Sequence, residues 1–187
     1  TDLDAQDARA VYKNTNYDLR QNKRLQQFTH AEAPKLYVND LADGDLAVFI
    51  RLGSDYKNNY YEYEVPLKLT PHGEYNYNNS EHQKIVWPAE NMLNFRLEIL
   101  TDLKLERNRE KRSGTNGVSF QTVYSGRDPD NDGNTIRVKG NPSLSEVKTV
   151  MIGVSNVRNK LKSWEVWVKE LSETDFNEAG GWSANEN

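Results

Sequence analysis

Cysteine is absent from all 187 residues, which excludes a disulfide framework and any thiolate-ligated metal site. A basic excess is absent too: 24 Lys and Arg stand against 28 Asp and Glu, and the net charge is -4. A domain that grips nucleic acid presents a basic face, so no nucleic-acid partner is expected. No apolar run approaches the roughly 20 residues of a membrane helix, so the segment is not expected to span a membrane with helices. The opening TDLDAQDARAVY lacks the basic region and apolar core of a signal peptide. It begins at Thr1 rather than Met, and we expect a segment of a much longer chain. The string G-x-S-x-G of a strand-to-helix nucleophile elbow is missing. The histidines His30, His72 and His82 are scattered, so no zinc site is expected.

What is present suits one globular domain over residues 1–187: 36% hydrophobic and 28% charged residues, enough to bury a core. Short alternating runs recur at 24–32, 45–53, 59–67, 118–126, 134–140, 147–155 and 164–171, and they read as strands. In the second run Leu46, Val48, Ile50 and Leu52 share one face, while Ala47, Phe49 and Arg51 take the other, which is expected to face water. Turn chemistry separates the runs: ADGD at 42–45, TPHG at 70–73, DPDNDGN at 128–134 and GNPS at 140–143. Many strands with regular turns predict a sandwich or barrel, and the fold expected is an all-β, jelly-roll-like sandwich. One exception, residues 96–112, has Leu97, Leu100 and Leu103 at helical spacing and predicts one short helix crossing it. The polar stretch YNYNNSEHQ, 75–83, reads as a loop.

The expected core comprises Leu46, Val48, Ile50, Leu52, Val150, Ile152, Val154, Trp164, Val166 and Val168, each in the apolar phase of its run. Trp167 falls on the opposite face, between Glu165 and Lys169. It is expected either to dock a partner or to lie under the following segment, where Phe176 and Trp182 show no strand pattern.

Four patterns could carry chemistry. Asp128, Asp130 and Asp132 followed by Gly133 copy the first half of a calcium loop. The bidentate acid of such a loop would fall on Lys139 and no helix flanks it, so a hairpin turn with Pro129 and a positive-φ Gly133 is expected, with at most weak calcium binding. Glu62 and Glu64 share a strand face and could form a glycosidase acid pair. Alternate acids on a strand more often face solvent, and no catalytic residue, cofactor or metal is expected. The basic run KLERNREKR, 104–112, contains Glu106 and Glu110 and reads as a solvated helix face. Ten tyrosines, several beside asparagine, suit either a binding surface for sugar or peptide or the interior of a sandwich.

The blocks YDLRQNKRLQQFTHAEA, GDLAVFIRLGSDYKNNYYEYEVPLKLTP, VWPAENMLNFRLEILTDLKLERNR, VKGNPSLSEVKTVMIGVSN and EVWVKELSETDFNEAGGW stand in this order from about residue 17 onward. Together they resemble a segment of the SprA (Sov) family of giant gliding-motility and secretion proteins. That resemblance implies an outer-membrane translocon of the type IX secretion system, with this segment as one soluble domain beside its barrel. It implies a structural or protein-binding role in the cell envelope, with the translocon's other domains, secretion partners or cargo as contacts. A likeness in strand order to carbohydrate-binding jelly rolls keeps a sugar-binding module open as the alternative.

Overall fold

The computed structural model describes residues 2–3, 7–32, 42–76, 78–157, 162–163, 165–168 and 172–176, of which 2–3 and those beyond 157 are described through backbone pairing alone. The order is β1 (Asp2–Leu3), β2 (Ala8–Tyr17), β3 (Asn22–Gln27), β4 (Thr29–Glu32), β5 (Leu46–Gly53), β6 (Tyr60–Pro66), α1 (Ser80–Val86) and β7 (Leu93–Arg96). Then come α2 (Glu98–Arg112), β8 (Tyr124–Asp128), β9 (Asn131–Lys139), β10 (Val147–Asn156), β11 (Lys162–Ser163), β12 (Glu165–Val168) and β13 (Ser172–Phe176). A 3-10 turn, Ala89–Asn91, links α1 to β7.

The main layer is a six-stranded sheet ordered β2-β10-β5-β6-β9-β8, and every pairing in it is antiparallel. A three-stranded sheet, β13-β3-β7, and the pairs β12-β4 and β1-β11 complete the strands. The result is an all-β, jelly-roll-like sandwich. Leu46, Val48, Ile50 and Leu52 are buried in register with Val65, Tyr63 and Tyr61 of β6 and with Val154 and Val150 of β10. From the second layer Leu25, Leu93 and Phe95 join the same core. Phe95 stacks on Tyr63 with ring centroids 4.0 Å apart. Each such aliphatic side chain contributes about 1.5–3 kcal/mol when taken fully from water.

Helix α2 begins two residues after the expected start, because Arg96 still belongs to β7. Glu98 in its first turn and Arg109, Lys111 and Arg112 in its last complement the helix dipole. It ends where Gly114 takes φ 79, a left-handed position that closes the last turn. Its buried stripe, Ile99, Leu100, Leu103 and Arg107, lies over the β8–β9 end of the sheet.

Several expectations need correction. Residues 75–83 are not all loop: Asn79 Oδ1 accepts from the N–H groups of Glu81 and His82 and starts α1, a second helix. The 118–126 run is strand only from Tyr124, since Ser119 Oγ accepts the N–H groups of Gln121 and Thr122 and draws the backbone into a turn. The 24–32 run breaks at Phe28 into β3 and β4, which pair with different strands. The outer face of β5 is not open to water, for Ala47 is buried and Phe49 is 4% exposed. Ile152 is only partly buried, because its cross-strand neighbour in β2, Val11, has no strand beyond it among the described residues. Trp164 lies outside the described residues, as do the side chains of Val166, Trp167, Val168 and Phe176 and all of Trp182. The backbone of β12 pairs Val166 with Ala31 and Trp167 with His30. Residues 172–176 form a strand, contrary to expectation.

Gly153 is required by a close approach. A Cβ there would stand 2.5 Å from the Phe49 ring, 2.6 Å from Ala10 Cβ and 2.8 Å from the Arg9 carbonyl oxygen. Gly153→Ala is therefore expected to destabilise by about 1–3 kcal/mol. A lowered urea midpoint at unchanged slope, partly recovered by adding Phe49→Leu, is the expected result.

Candidate functional site

The outer face of the central strands holds a ladder of alternating charge. Cross-strand pairing sets Arg51 of β5 and Arg137 of β9 on either side of Glu62 in β6. Arg51 Nε donates to Glu62 Oε2 at 2.5 Å, and Arg137 Nη1 to Glu62 Oε1 at 2.6 Å. Arg137 Nη2 reaches Glu64 Oε1 at 2.9 Å. The Arg51 guanidinium lies 4.3 Å from the Tyr60 ring centroid. Burial opposes the charge on Arg137, but Glu64 and Glu62 outweigh it and raise its pKa. Glu62 is 4% exposed rather than solvent-facing as expected, and a guanidinium group donates to each of its oxygens.

The aspartates of DPDNDG diverge. Asp128 is buried and accepts the Tyr63 hydroxyl at 2.6 Å, while Asn134 Nδ2 donates to that hydroxyl at 2.8 Å. Asp130 pairs with Arg96, and Asp132 is exposed on β9. The two-residue turn is Pro129-Asp130, with Asp128 opposite Asn131. Gly133 lies within β9 and is not among the positive-φ glycines, so its expected turn role is corrected. Burial, then Asp128, pushes the Tyr63 pKa far up. Among the described residues no three His, Asp or Glu side chains gather as metal ligands.

The basic run is only partly a solvated face. Arg107 is 0% exposed and donates from Nη1 to the Gly140 carbonyl at 2.7 Å. Lys104 Nζ and the Tyr61 hydroxyl both donate to the Pro142 carbonyl, at 2.7 and 3.1 Å. Burial, then the neighbouring Arg107, lowers the Lys104 pKa. These cations pin the 140–142 turn to α2. His30 is buried, with Nδ1 2.7 Å from the Val86 carbonyl oxygen, and His82 Nδ1 accepts the Asn76 N–H. Residue types alone could not reveal Arg51, Arg137, Arg107 or Asn134 in these roles; the one available signal was Arg and Glu occupying the same phase of adjacent runs.

Among the described residues, two accessible features bear on binding. A cleft of about 860 Å³ opens between the start of β3, the start of α2 and residues 143–145. Arg20, Lys23, Arg24, Arg96 and Lys104 line it with one acid, Glu98, over apolar Leu97 and Leu144. The second feature is β2, an edge of the main sheet on which Val11 is 76% and Tyr12 57% exposed.

Over residues 1–187 the sequence matches the family SprA_N, described as motility related/secretion protein. The chain belongs to this family. A search of curated proteins finds no match. Membership makes this a motility- or secretion-related domain and associates it with the cell envelope. None of its described helices is long and apolar enough to cross a membrane.

Glu62→Gln would leave two guanidinium groups facing a neutral amide, and a loss of about 3 kcal/mol is expected, the low end of the range for broken buried pairs. Glu64→Gln should cost less, because Arg137 keeps Glu62; urea melts of the two variants compare them. A second expectation concerns Asp55 in the β5–β6 loop. Partial burial would raise its pKa, but the N–H of Asn58, the side chain of Asn59 and the N–H groups of Lys57 and Asn59 hold it at about 2. The folded value lies below the unfolded one of about 3.9, so this contribution is present above pH ~4 and lost as pH falls through ~2. Between those values stability should fall more steeply in the parent than in Asp55→Asn, measured by unfolding at each pH.

Proposed function

We propose that this chain is a non-catalytic, protein-interaction domain of an outer-membrane export translocon serving type IX secretion and gliding motility. Its contacts would be other domains of the parent translocon, secretion partners and cargo. The observation that carries the reading is the contrast between its acids and its open surfaces. Glu62, Glu64 and Asp128 are engaged internally, whereas the cation-lined cleft and the β2 edge stay accessible. Such surfaces suit a protein neighbour, where charge sets specificity and rate of encounter. The sugar-binding alternative needs a row of open rings, and the burial of Tyr60, Tyr61 and Tyr63 weighs against it.

Deleting this domain from the parent protein should abolish export of cargo to the cell surface while the truncated parent still reaches the outer membrane. Lys23→Glu together with Arg20→Glu, in the cleft, should reduce co-purification of partners without unfolding the domain. Export at the parental rate after deletion, or retention of the domain on polysaccharide columns, would overturn the reading.

A further inference from the structure

The open edge of β2 has a definite hydrogen-bonding phase. The Asn156 N–H donates to the Asp7 carbonyl at 2.9 Å, and the register pairs Ala8 with Ser155, Arg9 with Val154 and Val11 with Ile152. Directly opposed residues of an antiparallel pair alternate between bonded and non-bonded, so Asp7, Arg9, Val11 and Lys13 turn their backbone groups toward β10. Ala8, Ala10, Tyr12 and Asn14 therefore turn theirs outward. Asp7 Oδ1 takes the Ala8 N–H, which caps one end of this row. The outward carbonyls of Ala8, Ala10, Tyr12 and Asn14 and the N–H groups of Ala10, Tyr12 and Asn14 span about 20 Å at about 3.4 Å per residue.

Unpaired edges of this length are ordinarily blunted or covered. The opposite edge is: β8 is short, its register shifts between Arg127 and Asp128, and Leu103 of α2 sits against Gly126, 2.6 Å from where a Cβ would stand. On β2 the register shifts only beyond Asn14, and from Ala8 to Asn14 the device is charge alone. Arg9 and Lys13 flank Val11 on one face, all three are exposed, and the strand ARAVYKNTNY contains no acid. Two copies paired about a two-fold axis through Val11, the register of longest overlap from Ala8 to Asn14, would set each Arg9 against the other's Lys13. Directly opposed like charges destabilise a strand pair. A strand with acids at those two positions meets the reverse condition.

We propose that β2 is a docking edge that accepts, as a seventh antiparallel strand, an extended acidic segment of a protein partner. The segment has the pattern acid–x–apolar–x–acid, its acids opposite Arg9 and Lys13 and its apolar residue opposite Val11. Main-chain hydrogen bonds to Ala10, Tyr12 and Asn14 supply the affinity, and the two cations supply the selection. This inference rests on the protein-interaction reading above and names the partner's chemistry.

The test is hydrogen exchange on the full 187-residue chain with two peptides, acetyl-Thr-Asp-Thr-Val-Thr-Asp-Thr-amide and its counterpart with Lys at both Asp positions. The acidic peptide should slow the Ala10, Tyr12 and Asn14 amides about tenfold or more, and less at high salt. The lysine peptide should leave them unchanged. Arg9→Glu with Lys13→Glu should invert that preference. Ala10→Pro, which removes an outward N–H and spares the β10 ladder, should abolish protection of the Tyr12 and Asn14 amides by the acidic peptide while core amides keep theirs. Equal protection by both peptides, or none at about 1 mM peptide, overturns the proposal. Protection that rises with protein concentration without peptide, together with a dimer in sedimentation, overturns it in favour of a second copy. Failure here leaves the deletion experiment untouched, and normal export after deletion would remove the interaction reading whatever the peptides do.

Discussion

Tyr63 joins the layers of this domain, and the rest of the fold is arranged around that junction. Its ring stacks on Phe95 of the second layer, and its hydroxyl sits between Asp128 and Asn134 at the β8–β9 hairpin. One side chain therefore couples the inner face of the main sheet, the packing of β7 beneath it and the closure of the hairpin at its far end. A buried hydroxyl with both a donor and an acceptor satisfied adds specificity to an otherwise apolar core.

Because β6 is central, its other face also has to be accounted for. Glu62 points outward there and is nearly enclosed, held by Arg51 and Arg137 on the flanking strands. A carboxylate so placed is tolerable only when both oxygens are paired, and the cross-strand register brings the cations to it. The same logic governs Arg107 and Lys104, whose charges rest on the carbonyls of Gly140 and Pro142. These polar groups fasten strand to strand and helix to turn.

What this leaves accessible is a matter of edges and ends. The cleft beside α2 and the rim at β2 lie where the layers stop covering one another, and cations border both. The net charge of the chain is negative, so this positive charge at the uncovered places runs against its overall balance.

Much of the architecture was legible in the residues. The phase of Leu46 to Leu52 and of Val150 and Val154, the turn chemistry and the leucine spacing of α2 are local properties, set by the two-residue and 3.6-residue periods of strand and helix. Asn79 was a readable cap that the polar surroundings of 75–83 obscured. The absence of cysteine and of a basic excess also bounded the chemistry by composition alone. Tertiary structure decided the rest. An alternating run says which side chains share a face, but not what lies across from it. So the burial of Phe49 over Gly153, the cations on Glu62, the separate partners of Asp128 and Asp130 and, among the described residues, the lack of a strand beyond β2 all depend on strand order. Strand order arises from contacts between residues far apart in the chain, and local periodicity carries no record of those contacts.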